Sequence, residues 1–354
     1  MKRFILFVIS VIIVISFVTP TATIAASKST YYTVSGTNNV SPGVYQGVPN
    51  GKSKIVLKEK MYTLKETAKP PMKIEDMNVF YVKGRLAKKN DDPWGLNTLP
   101  IQEVESVGND LYIAKFLFSA AYYGSCGGGG ADILEIYKRN SKGKQSKITN
   151  DKVSSNTTDT FSINGKHIYY AKVVNEALSN YTIVKATLEG KKKQTLKKGV
   201  DDFWVNGKSI YYIDNNALYK MDLNGKNNKK LSKLKAKLYG NSGCDGGNYS
   251  ISNNGLSVSD YSSEAQYFID YSTGNVQKLK VNVDIQDVDV KKKRLVATTW
   301  NGENYTYNLY DVKGKKLKKI KTMDDSINYQ SIKIDAKKGE FYYVKGTKLY
   351  LIKY

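Results

Sequence analysis

Two cysteines, one histidine and a scatter of carboxylates are all that these 354 residues offer to thiol, metal or acid–base chemistry. Cys126 lies in Tyr122-Tyr-Gly-Ser-Cys-Gly-Gly-Gly-Gly-Ala-Asp132, and Cys244 lies in Tyr239-Gly-Asn-Ser-Gly-Cys-Asp-Gly-Gly-Asn-Tyr249, a stretch of like composition. In an oxidising exterior an isolated pair of cysteines is expected as a disulfide, contributing roughly 4 to 5 kcal/mol for a loop on the order of a hundred residues. The bridge requires Cα atoms within about 7 Å, and two unpaired thiols are the alternative. Neither glycine run precedes a helix or is followed by Lys-Ser/Thr, which argues against a phosphate cradle.

Two Cys and one His cannot supply a four-ligand thiolate or imidazole zinc site, and a Ser-His-Asp triad would have to use His167, which reads as the start of a strand. No Gly-x-Ser-x-Gly elbow occurs. Asp222-Leu-Asn224-Gly225-Lys-Asn227 has calcium-loop character but lacks the distal Glu, and Asp284, Asp287 and Asp289 follow strand alternation rather than a ligand cluster. No catalytic residue, metal or cofactor is therefore expected. The side chains placed to hold a ligand are Tyr122, Tyr123, Asp132, Asp201, Asp202, Asp245, Trp300 and Glu303, all in apparent loops. Two of these carboxyls about 5 to 9.5 Å apart would suit glycoside hydrolysis, and a carbohydrate-active enzyme is the alternative to a non-enzymatic reading.

The elements that must position these side chains repeat. A Tyr or apolar residue, an alternating stretch, a Gly, several Lys or Asn and then Leu or Ile recur, most clearly from Tyr219 through Gly225 to Leu231. The central glycines, 51, 95, 143, 190, 225, 274 and 314, are 44, 48, 47, 35, 49 and 40 residues apart, the period of a four-stranded propeller blade. A second recurring element, read as an inner strand, lies upstream of the hairpins: Val79–Val82, Leu111–Ala114, Ile168–Ala171, Ile210–Ile213, Leu295–Thr298 and Phe341–Val344. Each unit then reads as strands a, b, c and d, with tight a–b and c–d turns.

Ile210-Tyr-Tyr-Ile-Asp214, Ala217-Leu-Tyr-Lys-Met-Asp-Leu-Asn-Gly225 and Lys229-Lys-Leu231 resemble the YWTD blade of the low-density-lipoprotein-receptor-like propellers, and more closely the secreted bacterial propeller family DUF5050. Tyr212 and Ile213 stand where the receptor signature has Trp and Thr, so receptor ligand specificity does not carry over. The resemblance implies a propeller with no assigned reaction. The fold expected is all-β, a propeller of four-stranded blades with seven favoured and six the runner-up; the weak unit at 58–101 is the one in doubt. The last unit lacks strand d, so the segment from Lys52 to Lys58 is expected beside Lys348–Ile352, closing the ring.

The formal net charge is +23, from Lys+Arg 55 against Asp+Glu 32. The a–b and c–d turns share one end of every blade, and there they gather Lys191, Lys192, Lys193, Lys229, Lys230, Lys291, Lys292, Lys293, Arg294, Lys315 and Lys316. Such a face either keeps a Tyr-rich β protein in solution or docks a polyanion such as wall teichoic acid, anionic phospholipid headgroups or extracellular DNA. The dominance of Lys over Arg favours diffuse attraction and argues against sequence-specific nucleic-acid recognition.

Lys2 and Arg3, an uncharged run from Phe4 to Val18 and small residues at Thr23, Ala25 and Ala26 read as a Sec signal peptide cleaved at Ala25 or Ala26. Removing residues 1–26 takes two positive charges, +23 − 2 = +21. The expected organisation is signal peptide 1–26, extension 27–51 and a single propeller domain 52–354. The expected role is a secreted, non-enzymatic binding module, possessing no membrane span after cleavage. Its basic face would meet an anionic envelope polymer and its loop face a protein, peptide or glycan.

Overall fold

The computed structural model describes the backbone of the strands between Thr30 and Thr98 and then, from Ile101 to Tyr354, all but residues 125–126, 175–176, 235–247, 253, 261–264, 280–282, 325–331 and 346–347. Strands account for all the regular structure among these residues. Six lie before residue 100: β1 (Thr30–Gly36), β2 (Gly43–Val44), β3 (Ser53–Glu59), β4 (Tyr62–Thr67), β5 (Val79–Leu86) and β6 (Asn97–Thr98).

Six repeating units follow. The first is β7 (Ile101–Val107), β8 (Asp110–Gly124), β9 (Gly127–Arg139) and β10 (Gln145–Lys147). After the short β11 (Val153–Ser154) comes the second, β12 (Phe161–Asn164), β13 (His167–Val174), β14 (Ala177–Thr187) and β15 (Gln194–Val200). The third is β16 (Asp202–Asn206), β17 (Ser209–Asp214), β18 (Ala217–Asp222) and β19 (Lys229–Lys233). The fourth is β20 (Asn248–Ile251), β21 (Gly255–Asp260), β22 (Ala265–Asp270) and β23 (Val276–Leu279). The fifth is β24 (Asp284–Asp289), β25 (Arg294–Trp300), β26 (Asn304–Asp311) and β27 (Lys316–Asp324). The sixth has three strands, β28 (Lys333–Asp335), β29 (Glu340–Lys345) and β30 (Lys348–Lys353). The third, fourth and fifth are separate antiparallel meanders in the a-b-c-d order, the first two have the same order but share one sheet through β11, and the sixth runs a-b-c.

Apolar residues alternate along both faces of each meander, so every unit must bury two faces and does so against its neighbours. Tyr112 and Leu134 pack on Phe161 and Val184 between the first two units, and Tyr169 and Ile183 on Phe203 and Tyr212 between the next two. Trp204 and Leu218 meet Leu256 and Ile269, Phe268 meets Ile285 and Leu295, and Tyr307 meets Phe341. Strand a of five successive units, or the residues entering it, contributes to the wall of one cavity. Units stacked face to face around a shared axis, with the first strand innermost, form a β-propeller.

The c–d turns explain the repeated glycines. Asp222 Oδ1 accepts from the amides of Asn224 and Lys226, and Gly225 adopts φ +79°. Asn140 and Asp311 cap their turns in the same way. Three of these turn glycines also meet the preceding blade at or just beyond its strand d: Gly190 lies on Ile148, Gly225 on Leu196 and Gly274 on Leu231, whereas Gly143 has open space around it. One residue type thus serves both the left-handed turn and the blade contact.

Several expectations are corrected. β3 does not lie beside β30; it pairs in parallel with β1, and among the described residues β30 pairs with β29 alone. The reason lies in Thr30-Tyr-Tyr-Thr-Val34, a β-branched and aromatic run that offers β3 a nearer partner. The segment 58–101 is not a seventh meander: β4 sits between β5 and β6, and β5 pairs with the distal half of β8. The glycine run at 127–130 is strand rather than loop, since β8 and β9 stay paired out to Gly124 opposite Gly127.

Candidate functional site

The innermost strands are laced by carboxylates. Asp202, at the start of β16, is 2% exposed; its Oδ1 accepts from the amides of Thr158 (2.6 Å) and Phe203 (2.7 Å), and its Oδ2 from the hydroxyls of Thr158 (2.7 Å) and Tyr249 (2.6 Å). These partners belong to three successive units, so one carboxylate joins three blades. Asp159 accepts from the Val205 amide, Glu105 from Ile163 and Asp287 from Ala336, each across one blade boundary. Burial pushes the Asp202 and Asp287 carboxyls up from the usual range, against the pull of these hydrogen bonds.

Glu103 on β7 titrates against the trend of the surface. Burial, aided by the charges of Asp159 and Glu105, lifts its pKa well above the usual value, although Thr160 and the Phe161 amide bond it. A raised folded pKa means that its contribution is fully present below the unfolded value of 4.5 and is lost as pH rises through the folded one. Glu103→Gln should therefore raise the melting temperature at pH 8 and leave it nearly unchanged at pH 4, and a destabilised variant at pH 8 would refute the assignment. Glu135 has the opposite sign: burial would raise it, but hydrogen bonds from Lys147, Lys152 and Tyr137 together hold it at about 2. Its stabilisation, present at neutral pH, is lost as pH falls from 4.5 towards 2.

Inside the ring is a cavity of about 820 Å³ whose wall includes Asp159, Trp204, Ser250, Asp284, Gln286 and Tyr305. Gln286 is the bulged residue where β24 slips against β25, and the slip brings its amide to Asp284 Oδ2 (2.7 Å) and Thr298 Oγ1 (3.3 Å). Two residues beyond Thr298 on β25, Trp300, 47% exposed and outside the cavity wall itself, packs on the wall residue Tyr305 at 4.5 Å between ring centroids. Across the cavity Trp204 joins Tyr211 and Tyr271 in the core between the third and fourth units.

The expected ligand-binding set is therefore split. Trp300 and Glu303 sit at the b–c turn of the fifth unit, as read from the sequence. Asp202 lies beneath the loop face, committed to backbone and hydroxyl donors, and is no ligand-facing carboxylate. Asp201 beside it is exposed, with its pKa raised by partial burial and by Asp214. Asp132 is half-buried on β9, where its amide donates to Ser155 Oγ. Tyr122 and Tyr123 lie on β8, their side chains outside the described set; Asp245, Cys126 and Cys244 lie outside the described residues, as does the signal segment. Asp284, Gln286, Thr298 and Tyr305 were missed, because no local pattern marks a bulge.

At the other end the eleven basic residues are all exposed. Lys193 pairs with Asp151 at 2.8 Å and Lys292 with Asp289 at 3.5 Å; the other nine have no ion-pair partner among the described residues. Contacts between neighbouring turns hold this face together: Asn164 donates to the Gly207 carbonyl and Lys292 to the Lys337 carbonyl. The carboxylate of Asp222, once a calcium-ligand candidate, is turned into its own hairpin.

No family model and no curated protein matches the chain. Among solved structures it is similar to a nidogen/laminin complex (12% identity, TM-score 0.34, covering 83% of this chain and 98% of that one). It is similar also to the β-propeller domain of the Trilobed protease from Pyrococcus furiosus (13%, 0.37, 71% and 81%) and to TolB from Acinetobacter baumannii (12%, 0.31, 77% of this chain). The chain spans 64% of the TolB chain.

Proposed function

We propose that the protein is a secreted, non-catalytic propeller of the DUF5050 or YWTD type that adheres to an anionic envelope polymer through its a–b and c–d turn face. The observation that carries this reading is the segregation of charge. Nine cations with no ion-pair partner among the described residues project from one end of the blades, where Asp222 and Asp311 of the same turns fold back onto turn amides and Glu189 is an exposed carboxylate beside Lys191–Lys193. Solvated lysines of this kind attract a polyphosphate or polyuronate diffusely, with neither base nor stereochemical readout. A glycosidase draws no support from Asp202, because a carboxylate already accepting four hydrogen bonds lacks a free oxygen for proton transfer.

The test is retention on immobilised poly(glycerol phosphate). Retention should be strong at 0.01 M salt, where charges interact over about 30 Å, and should vanish near 1 M, where the range is about 3 Å. The quadruple reversal Lys191→Glu, Lys229→Glu, Lys291→Glu, Lys316→Glu should abolish it without shifting the thermal transition, since exposed turn residues contribute little stability. Retention insensitive to both salt and reversal would leave the lysines as solubilising charge.

A further inference from the structure

The upper end of the cavity has the opposite chemistry from the turn face. In a chain of net charge +23, neither Lys nor Arg is among the described residues of its wall, and two carboxylates, Asp159 and Asp284, are. An anionic polymer held by the turn face is repelled here. Three hydrogen-bonding side chains of the fifth unit are already fixed relative to one another. Thr298 Oγ1 donates to Asp284 Oδ2 at 3.1 Å, and Gln286 Nε2 reaches both. Cross-strand pairing stacks Thr298 against Tyr307 and Trp300 against Tyr305, so the polar trio and the aromatic pair share one face of the blade.

We infer that this mouth is a binding site for a neutral glycan, a ligand class that deepens the binding-module reading above and rests on it. A sugar ring presents an apolar C–H face and a rim of hydroxyls. The half-exposed Trp300, braced by Tyr305, offers the flat surface for the first. The carboxylate, amide and hydroxyl of Asp284, Gln286 and Thr298 offer acceptors and donors for the second. The trio's mutual hydrogen bonds preorganise it, which lowers the entropy cost of binding. The volume of about 820 Å³ falls within the ordinary range of small-ligand pockets and accommodates a few sugar units.

The full-length mature protein is titrated calorimetrically with cellotetraose, with the N-acetylglucosamine tetramer and with tetragalacturonate, alongside Trp300→Ala and Gln286→Ala. Saturable heat with one of the two neutral tetramers, weakened at least tenfold by each substitution, and little with the galacturonate, is the expected result. Trp300→Ala should keep the wild-type melting temperature, and both variants should keep poly(glycerol phosphate) retention. Absence of heat with either neutral tetramer at millimolar concentration, or binding indifferent to both substitutions, overturns the site while leaving the turn-face reading intact. Trp300-dependent binding of an unstructured apolar peptide with none of the sugars overturns the ligand class. Cleavage of the bound tetramer would uphold the site and overturn the non-catalytic reading.

Discussion

Replacing Asp202 by Ala should destabilise the protein by about 3–5 kcal/mol, the scale of leaving the partners of a buried charged group without their acceptor. The substitution strands the amides of Thr158 and Phe203 and the hydroxyls of Thr158 and Tyr249, all drawn to a carboxylate that is 2% exposed. Because those donors come from the second, third and fourth units, the loss should loosen the stacking of three blades together. A melting temperature lower by on the order of 5–10 °C is expected for a domain of this size. Asp202→Asn separates charge from geometry. Its amide oxygen keeps part of the acceptor capacity, and it removes a charge that burial disfavours, so its cost at neutral pH should be well under half that of the Ala variant. If Asp202→Ala melts with the wild type, the lacing of the inner strands is incidental and blade packing alone holds the ring.

What the sequence made legible is what repeats. The apolar runs at 111–114, 168–171, 210–213, 295–298 and 341–344, four of them carrying aromatic residues, all fall in the second strand of a unit, because a strand with both faces buried needs a continuous apolar stretch, a local signal. The turn glycines were visible for the same reason, since a left-handed residue must recur wherever the hairpin does. Hidden features depend on distant partners. Asp202 reads as a loop carboxylate, yet its donors lie 44 and 47 positions away. The glycines at 127–130 have turn composition, but each pairs across to β8, from Ala121 opposite Gly130 to Gly124 opposite Gly127, as strand. The parallel contact of β1 with β3 needs a crossover that no alternation pattern encodes. The polar trio at the cavity mouth depends on a single bulge at Gln286, and a slip of one residue changes which side chains face the ring. Trp300 was found because an aromatic residue beside Asn-Gly-Glu in a turn is conspicuous without any partner.

Gly190→Ala should be among the most damaging single substitutions in the protein, and its contrast with Gly165→Ala shows why. Both glycines have left-handed backbones, φ +74° and +60°, so a methyl group costs each about 1 kcal/mol in conformational strain. At Gly165, in the a–b turn of the second unit, nothing lies within 4 Å of the added carbon, and that cost is the whole effect. At Gly190 the carbon would overlap the carbonyl oxygen of Ile148, a residue whose amide is bonded to Ile136 and whose side chain lies in the core between the first and second units. Backbone cannot rotate away as a side-chain tip can, so the two blades must separate and lose part of that core. A total of about 3 kcal/mol or more is expected. Equilibrium denaturation of the two variants, with Gly207→Ala as a second open-space control, measures the difference directly. Equal losses for Gly190→Ala and Gly165→Ala would mean that the c–d turns are retained for hairpin geometry alone. A markedly larger loss at Gly190 would identify the repeated glycine as the contact that sets the spacing between blades, with the turn conformation the lesser part of its role.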